Sequence, residues 1–293
     1  MARRVKALPG PAKTQGFVEI VEGVHIFIGG DGGTNFGLVL TDEKPVIIDN
    51  DIRIRKAFVS GMKEITRKSP GLVLNTHHNF DHTSDNGYYH KRGAVSVGEE
   101  NVRLEMEREE NEGIWVKQMA GRPQKVEHLI GKLHIAPPMV TFEGEISIRY
   151  GGRLFEMVHI GHCHTKGDTV VWMPEERILF TGDLLDYRTH PVARLGNFGN
   201  WINATPKLKK FPAKFLIPGH GPIPTQPASK VWDEFRGYMT KLRSRTAAAL
   251  KKHRTIAKAV TSVHMDEYRN WFRSNLVPQN ATLMAKELRK KRR

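Results

Sequence analysis

The chain has 293 residues, 39% of them hydrophobic and 26% charged, a balance typical of a soluble globular protein. No stretch contains the roughly 18–20 apolar residues of a membrane-spanning helix, so we expect no membrane segment. The formal net charge is +15, which leaves contacts with nucleic acid or another anionic surface open.

Short apolar runs dominate the first half of the chain and predict five strands, at residues 17–20, 24–28, 36–40, 46–48 and 72–74. Clusters of Gly and Asp separate the earlier runs, as turns between strands require. One amphipathic helix stands between the last two strands. Its apolar stripe, at spacings of three and four, is Ile54, Phe58, Met62 and Ile65. Ser69-Pro70-Gly71 ends it.

The second half of the chain contains further strands and ends in helices. A helix is predicted over residues 99–119, and strands at 139–142, 146–150, 154–160, 169–172, 178–181 and 214–217. From Val231 the pattern is helical, and a last helix covers about 280–290. This order predicts helices packed outside two sheets. No Pro/Ser-rich linker divides the chain. We therefore expect an N-terminal extension at 1–16 and a single domain over 17–293.

The positive charge is concentrated in the last third of the chain. Residues 1–206 contain 25 Lys/Arg and 26 Asp/Glu, whereas residues 207–293 contain 21 and 5. A basic segment of this kind can bind nucleic acid. The interpretation we favour is a solvated helical face that ends in the basic run at 289–293. The single cysteine, Cys163, excludes an internal disulfide, and the basic N-terminus lacks the apolar region of a secretory signal. We expect a cytoplasmic protein.

Four polar stretches each begin where a predicted strand ends. Imidazole and carboxylate groups are the usual ligands of zinc and similar metals, and strand ends at one rim would bring them together. Nearby glycines allow tight turns beside such a site. A lone histidine at a strand end is more often a hydrogen-bonded structural residue, but four such stretches in this order predict a metal site. They are His77-x-Asn79-x-Asp81-His82, Gly161-His162-Cys163-His164-Thr165, Thr181-Gly182-Asp183 and Pro218-Gly219-His220-Gly221.

These stretches resemble the metallo-β-lactamase-fold superfamily of hydrolases. The superfamily pattern is T-H-x-H-x-D-H, a later histidine often followed by T-x-G-D, a T-G-D turn, and G-H-G. The sequence matches it at residues 76–82, 164–168, 181–183 and 219–221, and Asp49 matches the aspartate that ends an early strand. The resemblance extends from about residue 17 to 225. It implies an α/β, four-layer αββα sandwich with the site at one edge of the sheets and C-terminal helices from about 226.

The resemblance also implies a ligand set for two metal ions. One ion would be bound by His77, position 79 and His164, the other by Asp81, His82 and His220, and Asp183 would bridge them. Asn79 departs from the family, which has histidine there, and an amide oxygen is a poorer zinc ligand. We therefore expect one or two Zn²⁺ ions, with Mn²⁺ or Fe²⁺ as alternatives.

Neighbouring residues receive subordinate roles. His162 is the alternative to His164 as a ligand, and His78 is predicted to point to the other side of the motif. Phe80 is expected to pack, and Cys163 to be a bystander. Candidate substrate contacts are His190, Tyr187, Asn197 and Trp201.

The resemblance implies a hydrolase in which a metal-activated hydroxide attacks a carbonyl or phosphoryl centre. Asp81 is the expected catalytic residue, because it both ligates and orients the water. The favoured substrate is a small ester, lactone, thioester or β-lactam. A nucleic-acid phosphodiesterase or nuclease is the alternative suggested by the basic C-terminal third. A non-catalytic binding protein, suggested by Asn79, and oxidoreductase chemistry on the same scaffold also stay open.

Overall fold

The computed structural model describes residues 16–29, 33–120, 133 and 135–290, which form two mixed β-sheets with helices outside them. The first sheet has seven strands in chain order. They are β1 (Gly16–Val21), β2 (Val24–Ile28), β3 (Phe36–Val39), β4 (Val46–Ile48), β5 (Leu72–Leu74), β6 (Val95–Glu99) and β7 (Val140–Phe142). Neighbours are antiparallel from β1 to β4 and parallel from β4 to β7.

The second sheet has five strands in the order β12-β11-β10-β9-β8. They are β8 (Glu145–Tyr150), β9 (Arg153–His159), β10 (Thr169–Met173), β11 (Ile178–Phe180) and β12 (Phe215–Ile217). Only β11 and β12 run parallel. Both sheets thus contain a parallel pair whose strands end at the same edge.

The helices differ strongly in length, from one short turn to 25 residues. They are α1 (Arg55–Ile65), α2 (Phe80–Thr83), α3 (Asn86–His90), α4 (Glu100–Asn111), α5 (Ile114–Ala120), α6 (Phe198–Leu208), α7 (Ala228–Lys252), α8 (Ile256–Val260) and α9 (Val277–Lys290). No helix in the described ranges is long and apolar enough to cross a membrane.

Alternation along the strands builds four layers, because successive side chains of a strand point to opposite faces. Ile48 and Leu74 of the first sheet pack against Phe155 and Phe180 of the second, between the two sheets. Ile47 and Val73 face the other way. They join an outer cluster with Phe58 and Met62 of α1.

The outer face of the second sheet is covered by the C-terminal helices. Val170 and Leu179 pack there against Trp201 of α6 and Trp232 of α7. Because both faces of both sheets are buried, the central strands are almost continuously apolar. The predicted αββα sandwich is confirmed.

Sequence reasoning missed several features of the architecture. Strand β6 went unpredicted because its apolar residues are interrupted by small ones, and pairing with β5 and β7 stabilises it. The helix predicted over 99–119 is two helices, because Gly113 adopts a left-handed conformation at φ 61°. Helix α6 contains Gly199 and Pro206, which hid it, and buries Trp201. Residues 1–15 of the expected N-terminal extension and residues 291–293 lie outside the described ranges.

Candidate metal centre

Polar residues follow the carboxyl ends of two neighbouring pairs of strands, one pair in each sheet. Asp49 follows β4, His77 lies three residues after β5, Asp183 follows β11 and His220 follows β12. The strand ends are hydrogen-bonded across each parallel pair, from Asp49 N to the Leu74 carbonyl (2.9 Å) and from Thr181 N to the Ile217 carbonyl (3.0 Å). The predicted clustering at one rim is what the backbone geometry produces.

The carboxylate of Asp183 is the centre of the cluster. Its Oδ2 lies 3.3 Å from His164 Nε2, 3.5 Å from His220 Nε2 and 3.8 Å from His77 Nε2. Its Oδ1 lies 3.1 Å from His82 Nε2. All four imidazoles therefore turn the same ring nitrogen toward one buried carboxylate, and each is at most 2% exposed.

The cluster divides into two half-sites that share Asp183. We call His77, Asn79 and His164 the His164 half-site, and Asp81, His82 and His220 the His220 half-site. Asp81 Oδ2 lies 3.4 Å from His220 Nε2 and accepts a hydrogen bond from Thr34 Oγ1 at 3.2 Å.

Asp49 and Thr76 fix the rings of two histidines from behind. Asp49 Oδ2 lies 2.8 Å from His82 Nδ1 and accepts a hydrogen bond from Thr76 Oγ1 at 2.7 Å. Thr76 Oγ1 in turn lies 3.1 Å from His77 Nδ1. With Nδ1 engaged in this way, Nε2 of each ring faces the cluster, as in metal sites where a carboxylate orients a ligating imidazole.

Asp168 organises the loop that carries His164. Its carboxylate accepts hydrogen bonds from the backbone N–H groups of Cys163, His164 and Thr165 at 2.5–3.2 Å, and from Thr165 Oγ1 at 2.6 Å. The spacing of His164 and Asp168 is thereby explained by a tight turn. Cys163 is buried, and burial raises the pKa of its thiol, which keeps it unreactive.

Asn35 holds the loop that carries His220. Its side chain donates to the carbonyls of Pro218 (3.0 Å) and Gly221 (2.9 Å). Gly219 is required by space, because a Cβ there would collide with Asp183 Oδ1. Sequence reasoning missed Asn35, since 183 residues separate it from Pro218 and only the packed sheets bring them together.

The carboxamide of Asn79 reaches the cluster from its partly exposed side. Its nitrogen Nδ2 lies 2.8 Å from His164 Nε2, the same ring nitrogen that faces Asp183. An amide N–H that donates to this nitrogen occupies the lone pair a metal would need. In this contact the amide of Asn79 occupies the ring nitrogen of His164 that faces Asp183.

The two half-sites have opposite electrostatic character. Burial, and next the charge of His82, hold the pKa of His77 well below its usual range; burial lowers that of His164 to about 4. Burial also opposes protonation of His82 and His220. The carboxylate of Asp183 nevertheless raises the pKa of His82 well above its usual range and that of His220 to about 9.

The carboxylates respond in the same sense. Burial would raise the pKa of Asp81, but its hydrogen bond with His220 and the charge of His82 hold it well below the usual range. The charges of His220 and His82 likewise lower the pKa of Asp183 against the effect of burial. Around His220 the anionic oxygens thus favour positive charge.

The residues present fit a divalent metal ion. Several buried atoms of the described residues that could bind a metal ion lack a hydrogen-bond partner. Among them are His77 Nε2, His82 Nε2 and Asp183 Oδ1. Donor atoms of three overlapping groups lie within 4.8 Å of one another. These groups are His77, His82 and Asp183; Asp81, His82 and His220; and Asp183, Asp186 and His220. Buried polar atoms normally have partners, and a cation would supply them here.

Sequence reasoning also missed Asp186 and Arg53. Asp186 is fully buried, and burial together with the charge of Asp183 raises its pKa to about 8. Arg53 pairs with Asp51, and its Nη2 lies 3.9 Å from Asp81 Oδ2. The spacing of Asp186 from the T-G-D turn was the available signal in the sequence, but aspartate after a turn is common.

The histidines beside the motifs face elsewhere. His162 Nε2 lies 2.6 Å from the Leu195 carbonyl, whereas His164 reaches Asp183. His78 is buried on the other side of the motif, with Nε2 3.6 Å from Glu109 Oε1. Phe80 packs against Trp115, with ring centroids 5.6 Å apart.

Two of the four candidate substrate contacts are engaged in packing. His190 is fully buried, with its ring nitrogens 2.9 Å from Tyr238 Oη and 3.1 Å from the Tyr268 carbonyl. Trp201 is fully buried, donates to the Leu184 carbonyl at 3.0 Å, and packs its ring 5.7 Å from that of His164. Both side chains are shielded from a substrate by these partners, and their contribution is to packing behind the cluster.

The other two candidates lie nearer the surface. Tyr187 is 6% exposed, and its hydroxyl accepts a hydrogen bond from Gln226 Nε2 at 2.9 Å. Asn197 caps α6 by accepting a hydrogen bond from the Asn200 backbone N–H at 3.0 Å. A substrate contact by Asn197 would compete with this cap.

Comparison with known proteins identifies relatives of one kind. The family model described as Metallo-beta-lactamase superfamily matches residues 29–220. A metallo-beta-lactamase type 2 of Bacteroides fragilis is 31% identical over 91 residues, which are 29% of this chain and 36% of the relative. A beta-lactamase-like protein 2 homolog of Caenorhabditis elegans is 30% identical over 93 residues, 32% of this chain and 30% of the relative. The chain thus matches about a third of the length of these curated relatives.

Solved structures share the fold at low sequence identity. A metallo-beta-lactamase from Pontibacter korlensis has a TM-score of 0.61 and 20% identity, over 78% of this chain and 99% of that one. A stereoselective inverting sec-alkylsulfatase from Pseudomonas sp. has a TM-score of 0.71 and 16% identity, over 93% of this chain and 50% of that one.

Proposed function

The chain belongs to the metallo-beta-lactamase superfamily, and we propose that it is a metal-dependent hydrolase of small molecules with an amide-type or ester-type bond. β-Lactams, lactones and thioesters are the substrate classes. The hydrolase unit is a single domain from residue 17 onward, in which the C-terminal helices cover the second sheet.

One observation carries the proposal. Four imidazole Nε2 atoms lie within 3.8 Å of the buried Asp183 carboxylate, and Asp49 and Thr76 orient two of the rings. Without a bound cation, such a cluster would leave buried polar atoms without partners, and each would cost about 1–3 kcal/mol of stability. Selection for a bound cation accounts for the arrangement. We assign His77, His82, His164, Asp183 and His220, with Asp81, as the ligands, and Asn79 as a weak one.

A bound divalent ion would lower the pKa of a water molecule and polarise the scissile carbonyl. The protein supplies the rest of the chemistry. Asp81 is the one carboxylate of the cluster with an appreciably exposed side chain, at 18%, so it can accept a hydrogen bond from the attacking water. Thr34 Oγ1 holds Asp81 in place, and Arg53 stabilises its ionised form from 3.9 Å.

The charge distribution favours a small substrate over a nucleic acid. Residues 1–206, which build the cluster except for His220, carry a net charge of −1. Cations of the C-terminal helices include Arg245 and Lys241, which pair with Glu267, and Lys209 pairs with Asp233. A phosphodiester-binding surface would present such cations to its ligand.

The test is metal removal followed by a substrate panel. Protein freed of metal by prolonged chelation should hydrolyse nothing, and Zn²⁺ or Mn²⁺ should restore turnover. The panel should contain a β-lactam, a lactone, a thioester, a secondary alkyl sulfate and a phosphodiester. Turnover of the first three classes supports the proposal. Full activity in demetallated protein would refute the mechanism, and activity confined to the sulfate or phosphodiester would refute the substrate class.

A further inference from the structure

Asp186 is a buried carboxylate that the ligand set described above does not use. It is fully buried, and both of its oxygens lack a hydrogen-bond partner among the described residues. Leaving an ionised carboxylate in that state is unfavourable, because buried charges need a partner or a metal. The position therefore calls for a positive group within reach.

The backbone fixes Asp186 beside the His220 half-site. It lies two residues after the short turn at Gly182–Leu184 and forms an isolated β-bridge with His220. Tyr187 N donates to the His220 carbonyl at 3.0 Å, which holds the two segments together. Ligand atoms of Asp186, Asp183 and His220 come within 4.8 Å of one another.

After His220, Arg273 is the next cationic group that acts on this carboxylate. Its charge counteracts the upward shift in the pKa of Asp186. It follows Phe272, whose carbonyl accepts from His190 N at 2.9 Å, so the C-terminal segment brings Arg273 toward the rim. Neither Asp186 oxygen accepts a hydrogen bond from it. The guanidinium of Arg273 therefore makes the potential at Asp186 less negative, but it does not take the place of a metal ion bound to the Asp186 oxygens.

We propose that Asp186 is a further metal ligand, which joins Asp81, His82, Asp183 and His220 to make the His220 half-site rich in carboxylates. This inference rests on the proposed metal dependence. Three carboxylates and two imidazoles form a larger and harder donor set than the three or four ligands typical of a zinc site. Oxygen ligands suit ions such as Mn²⁺, which prefer higher coordination numbers. Metal affinity that Asn79 lowers in the His164 half-site is thus offset by higher affinity in the His220 half-site.

The test measures metal affinity and needs no substrate. Demetallated wild-type protein and the Asp186→Asn variant are titrated with Mn²⁺ alone and with Zn²⁺ alone, in competition with a chromogenic chelator. Asparagine keeps the size of the side chain and removes its charge. We expect Mn²⁺ affinity to fall at least tenfold and Zn²⁺ affinity to fall less, because the lost oxygen ligand matters more to the harder ion.

Glu176→Gln is the matched control. Glu176 is a buried carboxylate, with its side chain 7% exposed, that pairs with Arg153 at the opposite end of β11 from Asp183. This variant should bind both metals as the wild type does. In the metal-free state, Asp186→Asn should unfold at no lower temperature than the wild type, because asparagine has the same size and cannot acquire an unfavourable buried charge.

The outcomes separate the two proposals. If the wild type binds neither metal, the proposed metal dependence fails and Asp186 fails with it. If the wild type binds both and Asp186→Asn binds them equally well, Asp186 is not a ligand. In that case a metal-free Asp186→Asn less stable than the wild type would mark Asp186 as a partner of Arg273 alone. Asp186→Ala, titrated in the same way, decides the matter if the asparagine variant does not fold.

Discussion

Charged groups are buried at the rim of the sheets around Asp183, but they are largely exposed on the C-terminal helices. At the rim, Asp183 and its imidazole neighbours are buried and crowded, and His77 Nε2 and His82 Nε2 lack hydrogen-bond partners among the described residues. On the helices, charges are largely exposed, and Glu267 accepts from Arg245 at 2.8 and 2.9 Å. Burying charge is costly, whereas pairing it at the surface costs little and contributes little. From this contrast we infer that the rim is the part shaped by function, although the helices carry the net charge.

The largest effect should come from removing a ligand at the rim. His220→Ala should reduce turnover by roughly a hundredfold or more, since even residues that merely support ligands change activity by 10–100-fold. Steady-state kinetics and metal analysis measure the loss. His78→Ala is the matched control, because His78 is equally buried but lies against Glu109. Equal losses in both variants would mean that the motif has been assigned in the wrong register.

Removing the support of a ligand should have the next largest effect. Asp49→Asn deprives His82 Nδ1 of its carboxylate partner and should weaken metal binding by about 10–100-fold. Equilibrium dialysis with metal analysis gives the affinity. Asp85→Asn, which removes another buried carboxylate, one paired with Arg55, should leave it unchanged. An unaltered affinity in Asp49→Asn would show that ring orientation does not limit binding.

A gain of function at the rim should be smaller. Asn79→His replaces an amide that lies 2.8 Å from His164 Nε2 with an imidazole, and should tighten the His164 half-site by about tenfold. Native protein should contain between one and two metal ions per chain, and the variant should approach two. Identical occupancy and affinity in metal titrations of both proteins would mean that position 79 does not bind metal.

Removing positive charge from the end of the sequence should change almost nothing at the rim. Deletion of residues 290–293 should leave turnover of a neutral substrate within about twofold of the full chain. DNA and RNA should not bind the intact protein in a fluorescence-anisotropy assay at low salt. Binding that weakens steeply as salt rises would instead indicate an electrostatic surface for nucleic acid and revive the phosphodiesterase alternative.

The smallest effect should come from an exposed ion pair. A hydrogen bond from Arg245 lowers the pKa of Glu267 to about 2. A lowered carboxyl pKa contributes stability above the unfolded value near 4.5, and the contribution is lost as the pH falls through about 2. Because the pair is largely exposed, Glu267→Gln should cost under about 1 kcal/mol at pH 7. Chemical denaturation of demetallated protein measures this, and a difference that persists unchanged at pH 2 would contradict it.

The sequence by itself determined much of the architecture. Strands β1 to β5 follow from their apolar runs, and the stripe Phe58 to Met62 predicted α1, because these signals depend on local periodicity. The sequence also predicted that the histidine and aspartate stretches lie at strand ends. Since the carboxyl ends of parallel strands meet at one edge, that placement was enough to predict a shared site.

Only the tertiary structure decided which other residues take part. Asn35 and Thr34 have no local signature, and an aspartate after a turn, such as Asp186, is too common to be singled out. Their roles depend on segments that approach from far along the chain. His190 and Trp201 were candidate substrate contacts from the sequence, but both side chains are buried in the packing of α6 and the C-terminal helices. The identity of Asn79 was visible from the start. Its contact with His164, which is 85 residues away in the sequence, was not visible. The packing of the two sheets brings these side chains together, and no local pattern encodes that packing.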